Sequence, residues 1–137
     1  LAAIRTGAAI RASDRLNEAG NQAEAFERLR PALADPANRD AQLALARLYI
    51  GARQPGEALR IAEAALARDP RNVDIRRAAI EAALAAGDRR RASQLLAEGQ
   101  SVLPGDSRVL LLEARVARDA GDGARARQLL ESAARQR

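Results

Sequence analysis

The 137-residue chain has no cysteine, histidine, methionine or tryptophan, and tyrosine and phenylalanine occur once each. Each absence removes a class of chemistry. Without histidine or cysteine there is no imidazole base, no thiolate nucleophile and none of the usual zinc or iron ligand sets. No cofactor and no metal are therefore expected. Disulfides are impossible, so cysteine usage does not separate cytoplasm from periplasm. No stretch approaches the roughly 18 uninterrupted apolar residues of a membrane helix, and no charged segment followed by an apolar run marks a signal peptide. The chain begins at Leu1 rather than Met and so reads as an excised segment, which keeps the missing signal from arguing for the cytoplasm.

Lysine is absent too: all 23 basic residues are arginine, against 18 Asp and Glu, for a net charge of +5. The two signs are interspersed, which fits a mixed-charge surface rather than a phosphate-binding stripe. Stacking sites for single-stranded nucleic acid need aromatics beside a basic groove, and the chain offers Phe26 and Tyr49 alone, so no nucleic-acid partner is expected. Ser13, Ser93, Ser101, Ser107 and Ser132 have no base partner of a standard type, and Asp119 and Asp122 sit beside a helix turn as expected caps. Gly-rich phosphate loops are missing. The composition thus points away from an enzyme.

What is present is a repeat. Asp35-Pro36, Asp69-Pro70 and Leu103-Pro104 recur at a spacing of 34, and Ala58, Ala92 and Ala126 keep the same period, with Ala25 preceding Ala58 by 33. Gly20, Gly87 and Gly121 lie five residues before Ala25, Ala92 and Ala126 and are followed at once by Asn21, Asp88 and Asp122. A glycine able to take positive φ, then a good N-cap, closes one helix and opens the next in a tight turn. The longer turns carry Pro36, Pro70 or Pro104, then the expected caps Asn38, Asn72 and Asp106. Between the turns Ala, Leu, Arg and Glu dominate, all strong helix formers, with apolar residues at helical spacing, as in Leu45, Leu48, Tyr49 and Leu59, Ala62, Leu66.

The expected helices are 6–19, 22–34, 39–52, 55–68, 73–86, 89–102, 107–120 and 124–136, grouped into repeats at about 6–38, 39–72, 73–106 and 107–137 of one array over 1–137. The alanine at the repeat phase lets two antiparallel helices approach closely. Two irregularities stand out. Pro31 falls inside the second helix and should bend it, at a cost of about 3 kcal/mol. In the second repeat Arg53 stands where the others have glycine, so either Gly51 shifts the helix end or Arg53 turns left-handed.

Leu45-Ala46, Tyr49, Ala58, Ala65 and Pro70 resemble the tetratricopeptide repeat, with echoes at Gly87, Ala92 and Pro104 and at Ala114, Gly121, Ala126 and Ala133. The resemblance covers nearly the whole chain as four units. It implies an all-α fold, a right-handed superhelical array of about four antiparallel helix pairs whose first helices line a concave face. The chain departs from the pattern at Gln42, Arg76 and Leu110, where the family has an aromatic, and at Ala62, Leu96 and Leu130 in the second helices, which implies aliphatic packing between repeats.

Projected onto this chain, the family's groove positions give Arg47, Glu81 and Arg115 in one row, Leu43, Arg77 and Leu111 in a second, and Ile50, Leu84 and Arg118 in a third. The charged members, Arg47, Arg77, Glu81, Arg115 and Arg118, are the candidate partner-binding residues of a groove suited to a peptide or helix. The opposing expectation is a solvated face in which Arg77 and Glu81, four apart, simply pair for about 0.3 kcal/mol. The chaperone-binding members' asparagine position holds Arg47, Glu81 and Arg115, so their carboxylate clamp is not implied.

The run from Ala25-Phe26-Glu27 through Asp35-Pro36 to Arg47-Leu48-Tyr49 is similar to the periplasmic repeat region of the bacterial cellulose synthase operon protein C family. In that family a long helical array leads to an outer-membrane β-barrel through which cellulose leaves the cell. The similarity implies a non-enzymatic scaffold in cellulose biosynthesis and polysaccharide export, with a periplasmic parent protein anchored in the outer membrane. Its implied partners are proteins of a secretion or synthase complex and the cell wall. With so few aromatic faces available, direct polysaccharide binding is not expected. The alternative is a cytoplasmic adaptor that binds a peptide or helix in its groove. At the C-terminal end Leu129, Leu130 and Ala133 are expected to lie bare on the stacking side, with no polar capping helix after them, as in a segment of a longer array prone to end-to-end contact.

Overall fold

The computed structural model describes residues 2–136, with side chains from Arg5 onward. Eight helices follow one another: α1 Ala2–Glu18, α2 Gln22–Leu33, α3 Arg39–Gly51, α4 Pro55–Arg68, α5 Val73–Ala85, α6 Arg89–Val102, α7 Ser107–Asp119 and α8 Gly123–Arg135. No strand occurs among the described residues. Helix α1 starts at Ala2 rather than residue 6, because the alanine-rich beginning of the chain continues the helix backward. Four other helices stop one residue short of the expected ends, at Leu33, Gly51, Ala85 and Asp119, and α8 is shifted by one at both ends.

The turns explain these endings. Within each pair the chain reverses through one left-handed residue: Gly20, Gly87 and Gly121 at φ 81°, 76° and 83°, and Arg53 at φ 62°. In all four the next amide reaches back over the helix end: Asn21 N–H donates to the Leu16 carbonyl, Gln54 to Tyr49, Asp88 to Ala83 and Asp122 to Ala117, at 2.8–2.9 Å. This double-closed ending satisfies carbonyls that would otherwise be orphaned. Arg53 adopts it without glycine's freedom, at a cost on the order of 1 kcal/mol.

The side chains of Asn38, Asn72, Asp88, Asp106 and Asp122 accept backbone N–H groups at the starts of α3, α5, α6, α7 and α8. Asn21 does not: its Nδ2 donates to Glu24 Oε2 at 3.0 Å, so the expected cap of α2 is missing. Asp119 is not a cap either, since it ion-pairs with Arg89 at 3.3 Å. Pro31 sits in the last turn of α2, exposed, and the helix runs on to Leu33.

Each helix packs on its pair mate, and first helices touch first helices in the order α1, α3, α5, α7. The backbones of second helices lie close to neighbouring first helices but not to one another among the described residues. The side on which helices approach more closely is the inner side of a curved stack, so α1, α3, α5 and α7 form the concave face. Ala25, Ala58 and Ala92 are fully buried and Ala126 is 3% exposed. A methyl group at each position fixes how near the two helices of a pair can come. Larger aliphatics, among them Leu29, Leu48, Ile75, Ile80 and Leu95, fill the space between pairs.

Among the described residues one core residue is charged. Arg76, at a position where the family has an aromatic, is 2% exposed. Its Nη1 donates to the Leu95 carbonyl and its Nη2 to the Pro70 carbonyl, both at 2.9 Å, tying α5 to α6 and to the turn before it. Burial pushes the guanidinium below its ordinary pKa, and Glu98 at 3.6 Å offsets part of that. Gly99 makes the room: a Cβ there would stand 2.7 Å from Arg76 Cδ.

Two stability measurements check this packing. Ala92→Arg should wedge the third helix pair apart and lower stability by about 3 kcal/mol or more, seen as a much lower melting temperature; unchanged melting would mean that the pair is not set by this contact. Gly99→Ala should destabilise by about 1 kcal/mol, because overpacking against Arg76 outweighs the gain in helix propensity. In an Arg76→Ala background the same change should become stabilising, and an additive double-mutant cycle would refute the contact.

Candidate functional site

The concave face follows from the helical period. On each first helix, positions three and four apart share one side, so Asp40, Leu43 and Arg47 on α3 stand beside Asp74, Arg77 and Glu81 on α5. Leu43, Arg47, Asp74, Arg77, Ala78 and Glu81 enclose a depression of about 410 Å³. A neighbouring depression of about 210 Å³ shares Leu43 and Arg47 and continues to Gly7, Ile10, Arg11 and Asp40. These are successive stretches of one groove with a leucine and alanine floor and charged walls.

At the equivalent position of the four first helices the charge alternates: Asp14, Arg47, Glu81, Arg115. The first two are closed on each other. Arg47 donates to Asp14 through Nη2 at 2.8 Å and 3.0 Å and through Nε at 3.2 Å, a forked pair that spans α1 and α3. Asn17 Nδ2 adds a bond to the Arg47 carbonyl at 3.2 Å. Arg47 therefore serves inter-repeat packing as much as the groove.

Arg77 pairs with Asp74 at 3.3 Å, not with Glu81 as its spacing suggested. The i, i+3 partner lies one turn nearer the helix start, where Arg77 reaches it without crossing the groove floor. Glu81 is half-buried and Arg115 and Arg118 are exposed, and none of the three forms an ion pair among the described residues. Leu111, beside Arg115 on α7, is 44% exposed, whereas Leu43 at the equivalent place packs against the central core. The C-terminal half of the groove therefore combines unpaired charge with the barest apolar surface.

Several groups lie differently from the sequence reading. Leu129 and Ala133 are buried against their own helix pair, and of the expected bare trio only Leu130 is exposed, at 39%. The expectation slipped by one helical position: Ala62 and Leu96, equivalent to Leu130, are covered by the following repeat. Phe26 and Tyr49 are engaged with each other edge to face, centroids 5.2 Å apart at 63°, and both pack against the core. On the convex side an unforeseen cluster fills the gap between α4 and α6, with Arg91 bound to Glu63 and lying 3.4 Å from Glu98. Its buried member, Arg76, is matched in sequence by a glycine, Gly99, inside the partner helix of the same pair. Among the described residues no group of three or more acidic side chains could hold a metal ion.

The fold's relatives agree with its geometry. The tetratricopeptide repeat family matches residues 50–116. The solved structure of Pseudomonas aeruginosa PilF superposes with a TM-score of 0.76 at 27% identity, over 98% of this chain and 62% of that one. PilW, a type IV pilus biogenesis factor, superposes at 0.70 with 24% identity, over 93% and 59%. Over its described length the chain has the fold of a tetratricopeptide-repeat array. In sequence it is similar to cellulose synthase operon protein C: 41% identical over 121 residues to the protein of Komagataeibacter sucrofermentans and 42% over 123 residues to one from Komagataeibacter xylinus. It spans only 9% of the length of those relatives while 88% and 89% of its own residues align.

One groove charge is set by its own turn. Asp106 holds Arg108, whose Nη2 and Nε lie 2.7 and 3.1 Å from its carboxylate, while the Arg108 amide donates at 2.8 Å. The arginine side chain first and the backbone bond second lower the Asp106 pKa from 3.8 to about 2. A depressed carboxylate stabilises the fold above its unfolded value, and that contribution is lost as pH falls from about 3.8 towards about 2. Asp106→Asn keeps the cap acceptor but loses the charge, so its melting temperature should lie below wild type near neutrality and converge with it towards pH 2. A gap that does not narrow would exclude this linkage.

Proposed function

We propose that this chain is a non-enzymatic spacing and protein-contact segment of a bacterial cellulose biosynthesis and export protein. The alignment of nearly nine-tenths of its residues with cellulose synthase operon protein C carries the reading. In this role the parent protein is periplasmic and anchored in the outer membrane, and the array spans the distance between the pore and the synthase complex. The mechanism is geometric. Each helix pair rests only on its neighbours, so length accumulates one repeat at a time and the concave groove meets a partner over several repeats.

The groove residues proposed for contact are Arg77, Glu81, Arg115 and Arg118, with Arg47 shared between the groove and its pair with Asp14. Leu84 and Leu111 supply the apolar floor, a combination that suits a peptide or helix of a complex partner. The repeat-phase residues Ala25, Ala58, Ala92, Ala126, Gly20, Gly87, Gly121, Pro36, Pro70 and Pro104 hold the groove's shape and do not contact the partner. Since Phe26 and Tyr49 are engaged with each other edge to face and packed against the core, the polymer itself is not gripped here. No described helix is long and apolar enough to cross a membrane.

The test is made in the parent protein of a cellulose-producing bacterium. Reversing Glu81, Arg115 and Arg118 together should leave the array folded and reduce both cross-linking to the synthase complex and cellulose output. Fractionation should place the protein in the envelope. Unchanged cellulose output, or a soluble cytoplasmic protein whose groove still captures a peptide, would favour an adaptor instead.

A further inference from the structure

The hollow between α3 and α5 lies inside the array, with α1 packed on the far side of α3 and α7 on the far side of α5. Four charged side chains wall its 410 Å³, and three of them are already matched. Arg47 is forked onto Asp14 at 2.8 Å, and Arg77 holds Asp74 at 3.3 Å. Glu81 is the fourth. It is half-buried, and among the described residues its carboxylate has neither an ion pair nor a hydrogen bond. With Asp14 counted against Arg47, the hollow keeps the negative charge of Glu81.

The same row shows a closed version of this arrangement. Asp14 and Arg47 hold the places on α1 and α3 that Glu81 and Arg115 hold on α5 and α7, acid first in both cases. Only the first couple is bonded. Asn17 Nδ2 ties α1 to the Arg47 carbonyl beside that pair, at 3.2 Å. Its counterpart on α5 is Leu84, which packs against the core and has no donor to offer. Arg115 stays exposed and does not pair with Glu81.

A carboxylate partly withdrawn from water gives up hydration, and here nothing in the fold replaces it. A cationic side chain would. Leu43 and Ala78 give the hollow an apolar floor. The methylene stem of a lysine or arginine can lie on it while the charged end meets Glu81. An acidic side chain would face Glu81 and Asp74 instead, and an apolar one would cover the Glu81 carboxylate without pairing it.

We propose that the hollow between α3 and α5 receives a lysine or arginine side chain from a basic amphipathic segment of a partner protein, with Glu81 as its counter-ion. This occupant presupposes the groove contact proposed above and gives it a sign. The whole chain carries +5, so its overall field disfavours a basic partner and the attraction is local to the hollow.

The test uses the 137-residue chain and a labelled peptide of Lys, Leu and Ala with Lys at i and i+4, beside counterparts with Gln or Glu in place of Lys, read by fluorescence anisotropy. The Lys peptide should bind at least about tenfold more tightly than either counterpart, and added salt should weaken it. Glu81→Gln, nearly equal in size, should lower its affinity at least about fivefold, whereas Glu131→Gln, the same change of charge at an exposed position of α8, should alter it less than about twofold. Arg115→Gln removes the next cation of the row and should raise affinity about twofold, which a merely structural role for Glu81 does not produce. Unchanged helical circular dichroism confirms that the variants fold. Equal binding of the Lys and Glu peptides, equal losses from Glu81→Gln and Glu131→Gln, or no binding would overturn the proposal. The groove contact and its occupant fail separately. If reversing Glu81, Arg115 and Arg118 in the parent protein cuts cross-linking while Glu81→Gln leaves Lys-peptide binding intact, the contact stands and the cationic occupant is refuted. If the Lys peptide depends on Glu81 while cross-linking in the parent protein is unchanged, the occupant stands and the role in the synthase complex falls.

Discussion

Two helices can lie no closer than the side chain between them allows, and in every pair of this array that side chain is a methyl group. Ala25, Ala58, Ala92 and Ala126 set the separation within pairs. The pairs then stack at an offset that Leu29, Ile61 and Leu95 fill from the second helices and Leu48, Ile80 and Leu112 from the first. The almost complete lack of aromatics is the other side of the same constraint. Where a bulkier repeat wedges rings between pairs, this one closes the gap with alanine and leucine, and at one place with the stem of a buried arginine.

Much of this was legible because turns are chemically explicit. A glycine followed by Asn or Asp, and a proline followed three residues later by a helix, mark boundaries independently of what packs where. Reading Arg53 in place of glycine left two outcomes open, and the hydrogen bond from Gln54 to Tyr49 shows why the left-handed one holds: all four turns close in the same way. Asn21 was misread because a neighbouring Glu24 competes for its amide.

The site was less legible. Spacing alone places Arg77 near both Asp74 and Glu81, and which one it takes depends on side-chain direction, not on sequence. Arg47 looked like a groove residue until Asp14, one repeat away, closed on it. Arg76 was invisible as a core group because arginine on a helix ordinarily reads as surface. Its counterpart signal, Gly99 in the middle of α6, has meaning only once the two helices are known to face each other.

At the turn edge of the stack, arginines reach from one repeat to the next: Arg68 donates to the Pro36 carbonyl, Arg71 to the Val102 carbonyl, and Arg39 pairs with Asp69. The backbones of the second helices, by contrast, do not meet. An object tied at its turn edges, with the Arg91–Glu63 pair as the ion pair across its back among the described residues, does not bend like a rod. It flexes as a ribbon does, easily in one plane and stiffly in the other, so the array can change its curvature under load while the order and spacing of its repeats stay fixed.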